Sequence, residues 1–204
     1  MGFYERWVLP RLLDLAMRNK EATRYRRNTI PRATGGVLEI GAGSGLNLPF
    51  YGRDVTRLYA LDPSEPLLQM AKKKRPAAPF PVQFLAGSAE EIPLESGSVD
   101  TVVTTWTLCT IPDPVKALRE ARRVLKPGGS LLFCEHGYAP EASVQAWQRR
   151  LDQLWSGVAG GCHLDRSIDS LIRQAGFEIV DLKNEYAKGP RPFSYIYCGG
   201  AQPA

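Results

Sequence analysis

Residues 37–52 read VLEIGAGSGLNLPFYG. A short apolar run ends in Gly41, Gly43 and Gly45, placed at every second position. Glycine adopts backbone conformations that side chains obstruct, and it lets a ligand approach the main chain closely. The stretch reads as a buried strand entering a tight turn. A dinucleotide fingerprint, G-x-G-x-x-G, would place its third glycine at position 46, where Leu46 stands. No G-K-[ST] follows, so a phosphate-cradling Walker loop is excluded. The spacing weakens the case for a pyrophosphate ligand.

Two acids flank this turn. Asp62 closes the next apolar segment, RLYALDPS, 21 residues after Gly41. In open α/β sheets an acid at this place accepts hydrogen bonds from ribose hydroxyls. Glu39 lies inside the first strand, where a carboxylate needs a partner. Either it binds backbone N–H groups, or it organises the site of a cationic cofactor.

Outward from the turn, strand-like and helix-like pieces alternate. PVQFLAGS, VDTVVTTWTL and SLLFCEHG read as further strands, and EIVDLKNEY and FSYIYCGGA as the last two. PLLQMAKKKR is a helix with Pro66 in its first turn. DPVKALREARRVLKPGG is a helix capped by Asp113 and stopped by KPGG. ASVQAWQRRLDQLWSGV carries apolar residues at 144, 147, 151, 154 and 158, an amphipathic spacing whose stripe is expected to pack as a cover helix. DRSIDSLIRQAGF is a helix with Asp165 as its N-cap and Gly176 at its end. Such alternation implies βαβ units and a mainly parallel sheet covered on both faces. Ligands then bind beyond the carboxyl ends of the strands.

The segments VLEIGAGSG, LYALDPS, GSAEEIPLESGSVDTVV and ALREARRVLKPGGSLLF resemble, in order and spacing, the motifs of class I S-adenosylmethionine-dependent methyltransferases over about residues 36–135. TLC, CEHG and GGCHLDRS extend the likeness towards residue 170, and are similar to the branch holding quinone-biosynthesis and alkyl-thiol methyltransferases. The resemblance implies an α/β, Rossmann-like, doubly wound sheet of seven strands, mostly parallel with an antiparallel last strand. It implies S-adenosyl-L-methionine as cofactor. Glu39, Gly41, Ala42, Gly43 and Gly45 match the motif around its methionine part, with Thr105 near the same end. Asp62 matches the ribose-binding acid, with Pro63 and Ser64 beside the adenosine. Ser88 and Ala89 match the adenine-side turn, although many relatives carry Asp where Ser88 stands.

Methyl transfer needs alignment more than a fixed catalytic triad. Substrate-side candidates follow the fourth and fifth strands: Trp106, Leu108, Cys109, Glu135 and Tyr138. His136 and His163 are the only histidines, and either could deprotonate a thiol or hydroxyl. Each could equally be a structural contact. The expected acceptor is a small apolar, thiol-, quinone- or lipid-like molecule. An NAD(P)-dependent oxidoreductase and a non-catalytic cofactor-binding module are the alternatives.

Composition agrees with a single domain over 1–204, with a helical arm over 1–32 and a substrate-side cover over 137–165. The chain is 44% hydrophobic and 23% charged, and no run of about 18 apolar residues suggests a membrane span. Glu5, Arg6, Arg11 and Asp14 interrupt the first apolar positions, so no signal peptide is read and a cytoplasmic location is expected. The formal charge is +5, and residues 1–32 hold eight Lys/Arg against three Asp/Glu. The remaining 18 basic and 18 acidic residues balance. The arm is therefore a solvated helical face or a peripheral contact with anionic lipid. The family resemblance adds a third role, closure over the cofactor with Tyr4 and Tyr25 as contacts. Nucleic acid is not expected, because no basic stripe interleaved with aromatics continues beyond the arm. Cys109, Cys134, Cys162 and Cys198 form no C-x-x-C pair and match no zinc spacing, so reduced, mostly buried thiols and no metal are expected.

Overall fold

The computed structural model describes residues 4, 8–75 and 78–204. Two helices, α1 (Leu9–Ala16) and α2 (Lys20–Thr29), precede the sheet. Then come β1 (Gly35–Ile40), β2 (Val55–Asp62), α3 (Glu65–Lys74), β3 (Val82–Ala86), β4 (Val99–Thr105) and α4 (Pro114–Val124). β5 (Leu125–His136), α5 (Ala142–Val158), α6 (Ile168–Gln174), β6 (Phe177–Tyr186), α7 (Arg191–Ser194) and β7 (Tyr195–Pro203) complete the chain. The sheet has seven strands in the order β3-β2-β1-β4-β5-β7-β6. β1 to β5 run parallel, and β7 runs antiparallel to both β5 and β6.

The strand order reverses between β1 and β4, which opens the crevice where ligands of such sheets bind. Val37 to Ile40 of β1 are all buried, as expected for a central strand covered on both faces. Side chains alternate between those faces. Leu38 and Ile40 join Val102, Leu118, Phe133 and Ile172 on one side. Val37 joins Leu58, Val103, Leu132 and Ile30 on the other. Glu39 shares the parity of Val37, so its carboxylate enters the face covered by the segment after the glycine turn.

Asp113 caps α4 as its position predicts, accepting from the Lys116 N–H at 2.9 Å. KPGG follows the end of the helix as expected: α4 stops at Val124, and β5, which begins at Leu125, takes in KPGG, with Gly128 at φ +79° beside a register shift against β4. Two expectations fail locally. Asp165 is not the cap of α6, because that helix starts at Ile168, after Ser167. The apolar stripe of α5 does not pack as a stripe: Val144 is buried, but Trp147, Leu154 and Val158 are 55%, 74% and 61% exposed.

The cysteine expectation also needs correction. Cys134 and Cys198 face each other across the β5–β7 pair and are joined as a disulfide. Their Cα atoms are only 4.1 Å apart, because antiparallel register sets two residues directly opposite. Cys109 and Cys162 are buried free thiols. No helix among the described residues is long and apolar enough to cross a membrane.

The helical arm is fastened to the sheet rather than solvated throughout. Asp14 of α1 accepts from Ser44 Oγ in the glycine turn, from Lys74 at 3.0 Å and from Arg18 at 2.6 Å. Burial opposes charge on Asp14, but these three partners carry its carboxyl below its ordinary range. Arg24 pairs with Glu185 and Arg32 with Asp181, both on the edge strand β6.

Candidate functional site

The three glycines of the turn lie at φ +71°, +53° and +75°, in the left-handed region that L side chains avoid. Each is constrained differently. A Cβ on Gly41 would run into the Thr107 side chain, and one on Gly45 would press on Leu48 and Ala71. A Cβ on Gly43 would meet nothing nearer than the Gly41 carbonyl oxygen at 3.9 Å. Gly43 therefore fronts open space, while Gly41 admits the turn after β4 and Gly45 admits α3.

Asp62 ties this turn to the end of β2. Its Oδ2 accepts from Gly43 N–H and its Oδ1 from Ser64 N–H, both at 2.8 Å. It is 6% exposed, and burial pushes its carboxyl up against the pull of those two amides. Each oxygen keeps lone-pair capacity for a further donor. The backbone N–H groups of Gly41 and Ala42 donate to the Leu61 carbonyl at 2.9 and 3.0 Å. Ala42 itself is buried and Pro63 is exposed beside half-buried Ser64.

Glu39 is 1% exposed. Its Oε1 accepts from Asn47 Nδ2 at 2.7 Å and its Oε2 from Tyr51 OH at 3.0 Å. Burial pushes this carboxyl up to about 7, against the lowering by Tyr51 and Asn47. Asn47 Nδ2 also donates to Thr105 Oγ1 at 2.9 Å, and Arg26 Nε donates to Asn47 Oδ1 at 2.9 Å. Arg26 in turn lies 5.1 Å from the Trp106 ring centroid. Asn47, Tyr51 and Arg26 were not singled out by sequence. The available signal was a polar residue, Asn47, between Leu46 and Leu48 immediately after the glycines.

At the end of β3, Gly87 N–H donates to the Asp62 carbonyl at 3.3 Å, so this turn adjoins the acid. Ser88 is exposed and its hydroxyl meets Glu90, while Ala89 is buried. Glu39, Gly41, Ala42, Gly43, Asp62 and Thr105 thus gather at the carboxyl ends of β1, β2 and β4, with Ser88 and Ala89 at the adjoining corner.

The carboxyl ends of β4 and β5 hold a second set of groups. Trp106 has φ +51°, the only positive value of a non-glycine among the described residues, and its N–H donates to the Cys134 carbonyl. The turn after it is clamped by Glu135, which is fully buried. Glu135 accepts from Thr104 Oγ1 at 2.7 Å and from the N–H groups of Thr107 and Leu108 at 2.8 and 3.2 Å. Burial pushes its carboxyl up to about 7. Its lining of the acceptor side is therefore indirect: the carboxylate turns inward and shapes the loop carrying Cys109.

His136 Nε2 lies 3.1 Å from Cys162 Sγ, and Trp155 Nε1 donates to the same sulfur at 3.3 Å. The donor atoms of Cys109, His136 and Cys162 all lie within 4.8 Å of one another. The neighbouring Cys109 and His136 lower the Cys162 thiol, while the hydrogen bond with Cys162 and burial raise that of Cys109. Burial opposes a charge on His136, but Cys162 carries the imidazole above its ordinary range. His163 is placed differently. Its Nδ1 lies 2.9 Å from Asp152 Oδ2, and its backbone N–H donates to the Cys109 carbonyl. Tyr138 is half-buried and its hydroxyl accepts from Arg149 of α5.

A family model described as a methyltransferase domain matches residues 38–133. The thiol S-methyltransferase TMT1B of Rattus norvegicus is 37% identical over 170 residues, which cover 80% of this chain and 66% of that protein. The demethylmenaquinone methyltransferase of Clavibacter sepedonicus is 32% identical over 176 residues, covering 78% of this chain and 71% of that one. The chain spans about two thirds of the length of these curated relatives. Among solved structures, a SAM-dependent methyltransferase from Thermotoga maritima has the same fold, with a TM-score of 0.67, 21% identity and 98% of each chain covered. The matched stretch opens inside β1 and closes within β5, carrying the glycine turn and both of its acids with it. The chain belongs to the class I S-adenosylmethionine-dependent methyltransferases.

Proposed function

We propose that this chain transfers the methyl group of S-adenosylmethionine to the sulfur of a small apolar thiol. The observation that carries the cofactor half is the pairing of Gly43, which fronts open space, with two buried acids, Asp62 and Glu39, whose carboxyls burial pushes up. A ligand bringing hydroxyl donors and positive charge would satisfy both acids, and S-adenosylmethionine brings both. Asp62 would accept from the ribose hydroxyls, with Pro63 and Ser64 beside the adenosine. The open face of the turn at Gly43, between Gly41 and Gly45, with Glu39, Asn47 and Thr105 beside it, would hold the methionine part. Ser88 and Ala89 would border the adenine, and Glu90 beside Ser88 offers a carboxylate where that turn lacks its usual acid. Bound there, the cofactor supplies an activated methyl on a sulfonium.

The acceptor half rests on the second set of groups. Trp106, Cys109 and Tyr138 border the space beyond β4 and β5, and residues 137–165 serve as its cover. A thiol reaches this site protonated and reacts as a thiolate. His136 already spends its Nε2 on Cys162. His163, oriented by Asp152 through Nδ1, is the better base for the acceptor proton. The sulfur acceptor named for TMT1B supports this choice over a quinol carbon.

Residues 8–32 act as a strap across the glycine turn through Asp14 and Arg26; residues 1–3 and 5–7 of the arm lie outside the described residues. Exposed Leu12 and Leu15 of α1, together with exposed Lys20 and Arg27, also support peripheral contact with an anionic membrane. Vesicles containing anionic lipid should then bind the protein in a salt-sensitive way, and equal binding after deletion of residues 1–20 would exclude it. The functional test is release of S-adenosylhomocysteine with alkyl thiols and quinols offered side by side. Turnover confined to the thiols supports the reading, and turnover confined to quinols overturns it.

A further inference from the structure

Cys109, His136 and Cys162 come from three separate pieces of chain: the turn after β4, the last residue of β5, and the loop beyond α5. No spacing rule links them. Yet their donor atoms lie within 4.8 Å of one another, with Nε2 of His136 3.1 Å from Sγ of Cys162. Both thiols are nearly sealed, at 2% and 9% exposure. Two cysteines and a histidine converging on one point, away from solvent, are an unusual way to fill a core. Aliphatic side chains would pack there without three polarisable, proton-bearing groups in mutual contact.

We propose that these three residues bind a zinc ion through Cys109 Sγ, His136 Nε2 and Cys162 Sγ. Zinc takes sulfur at about 2.3 Å and nitrogen at about 2.0–2.1 Å in tetrahedral geometry, which sets donor atoms roughly 3.5–4 Å apart. The observed cluster spans that separation, so small side-chain adjustments would admit the ion. The Trp155 indole N–H on Cys162 Sγ, at 3.3 Å, is an outer-shell donor of the kind that holds a ligating sulfur in place. Three protein donors leave one tetrahedral position, the arrangement of zinc sites that bind substrate rather than only brace a fold.

Cys109 follows Thr107 by two residues, and the Thr107 side chain abuts Gly41, so the cluster adjoins the turn beside the proposed cofactor crevice. On the thiol-acceptor reading above, on which this part rests, the acceptor sulfur fills the fourth position. The acceptor S–H bond breaks, its electron pair forms the sulfur–zinc bond, and the proton is released to solvent. The ion would thus present a thiolate at neutral pH. The neighbouring set of Asp152, His163 and Asp165 offers harder, more exposed ligands and is the competing location for a metal.

The test begins with the full chain, purified with zinc and dialysed, without cofactor or acceptor. One equivalent of zinc should remain, and Cys109→Ser and Cys162→Ser should each lose at least tenfold of it. Cys198→Ser and Asp165→Asn should keep it. Cobalt(II) substituted for zinc should give intense near-ultraviolet thiolate-to-cobalt bands that disappear in Cys109→Ser. Unchanged stabilisation of Cys109→Ser by S-adenosylhomocysteine would show that this variant still folds. Absence of stoichiometric metal, cobalt spectra without thiolate bands, or retention in both cysteine variants would overturn the site. Adding an alkanethiol to the cobalt protein should shift the bands. Unshifted bands alongside ongoing methylation of that thiol would refute the open position. Methyl transfer by metal-free protein at the full rate would sink the metal's role and leave the thiol reading standing.

Discussion

Glu39 and Glu135 make an instructive pair. Both are central-strand glutamates, both are buried, and burial pushes both carboxyls up to about 7. Their partners differ. Glu135 accepts from two backbone N–H groups and a threonine hydroxyl of its own turn, so its charge is spent on holding the chain. Glu39 accepts only from side chains, Asn47 and Tyr51, and stands behind a glycine that fronts open space. The same residue type under the same desolvation is thus a turn clamp at one end of the crevice and, on the proposed function, a cofactor-side group at the other. A perturbed acid marks a site only when its partners are examined.

The comparison can be broken by substitution. The largest effect is expected beside Glu39, at Asp62, the acid proposed to accept from the ribose hydroxyls. Asp62→Ala should reduce methyl transfer at least a hundredfold and abolish the thermal shift given by S-adenosylhomocysteine. A shift of wild-type size would remove Asp62 from the site. Glu135→Ala should strand two backbone N–H groups and a hydroxyl, at about 1–3 kcal/mol each before local rearrangement. Denaturant unfolding should show a loss of about 3 kcal/mol or more, with cofactor affinity of the folded fraction little changed. Glu39→Gln should do the reverse, weakening S-adenosylmethionine roughly tenfold while leaving stability near or above that of the parent at pH 8. If the two glutamates gave the same pattern, the contrast between them would be wrong.

The smallest effect is on pH, and its sign is fixed. An acid with a pKa near 4.5 when unfolded and about 7 when folded binds its proton on folding between those values. Its contribution to stability is therefore present below about 4.5 and lost as pH rises towards 7. Positive charge on a ligand beside Glu39 reverses this within the complex. The rise in melting temperature given by S-adenosylmethionine should be larger at pH 8 than at pH 6. Glu39→Gln should flatten that difference and Glu135→Gln should not, as differential scanning fluorimetry across the range will show.

Much of this was legible in the residues. Apolar runs such as VLEI and VDTVV marked central strands because both faces of a parallel sheet are buried. The glycine turn and Asp62 declared themselves because a close backbone approach leaves few residue choices. Less local features did not. Asp165 has the chemistry of an N-cap, but its neighbour Arg166 donates to the carbonyls of Leu108 and Ile111, and the helix starts later, at Ile168. The stripe on α5 has helical spacing, but spacing alone does not say whether a core exists to receive it. Cys134 and Cys198 are paired by antiparallel register, and Cys109, His136 and Cys162 converge from three segments. Contacts of that kind are set by topology, and no window of sequence contains them.

The measurement that bears most directly on the account is mass spectrometry of the product formed from an alkanethiol and methyl-labelled S-adenosylmethionine. The labelled methyl thioether should appear with one S-adenosylhomocysteine per product, and Asp62→Ala should form almost none. S-adenosylhomocysteine released without any thioether, or equal thioether formation by Asp62→Ala, would contradict it.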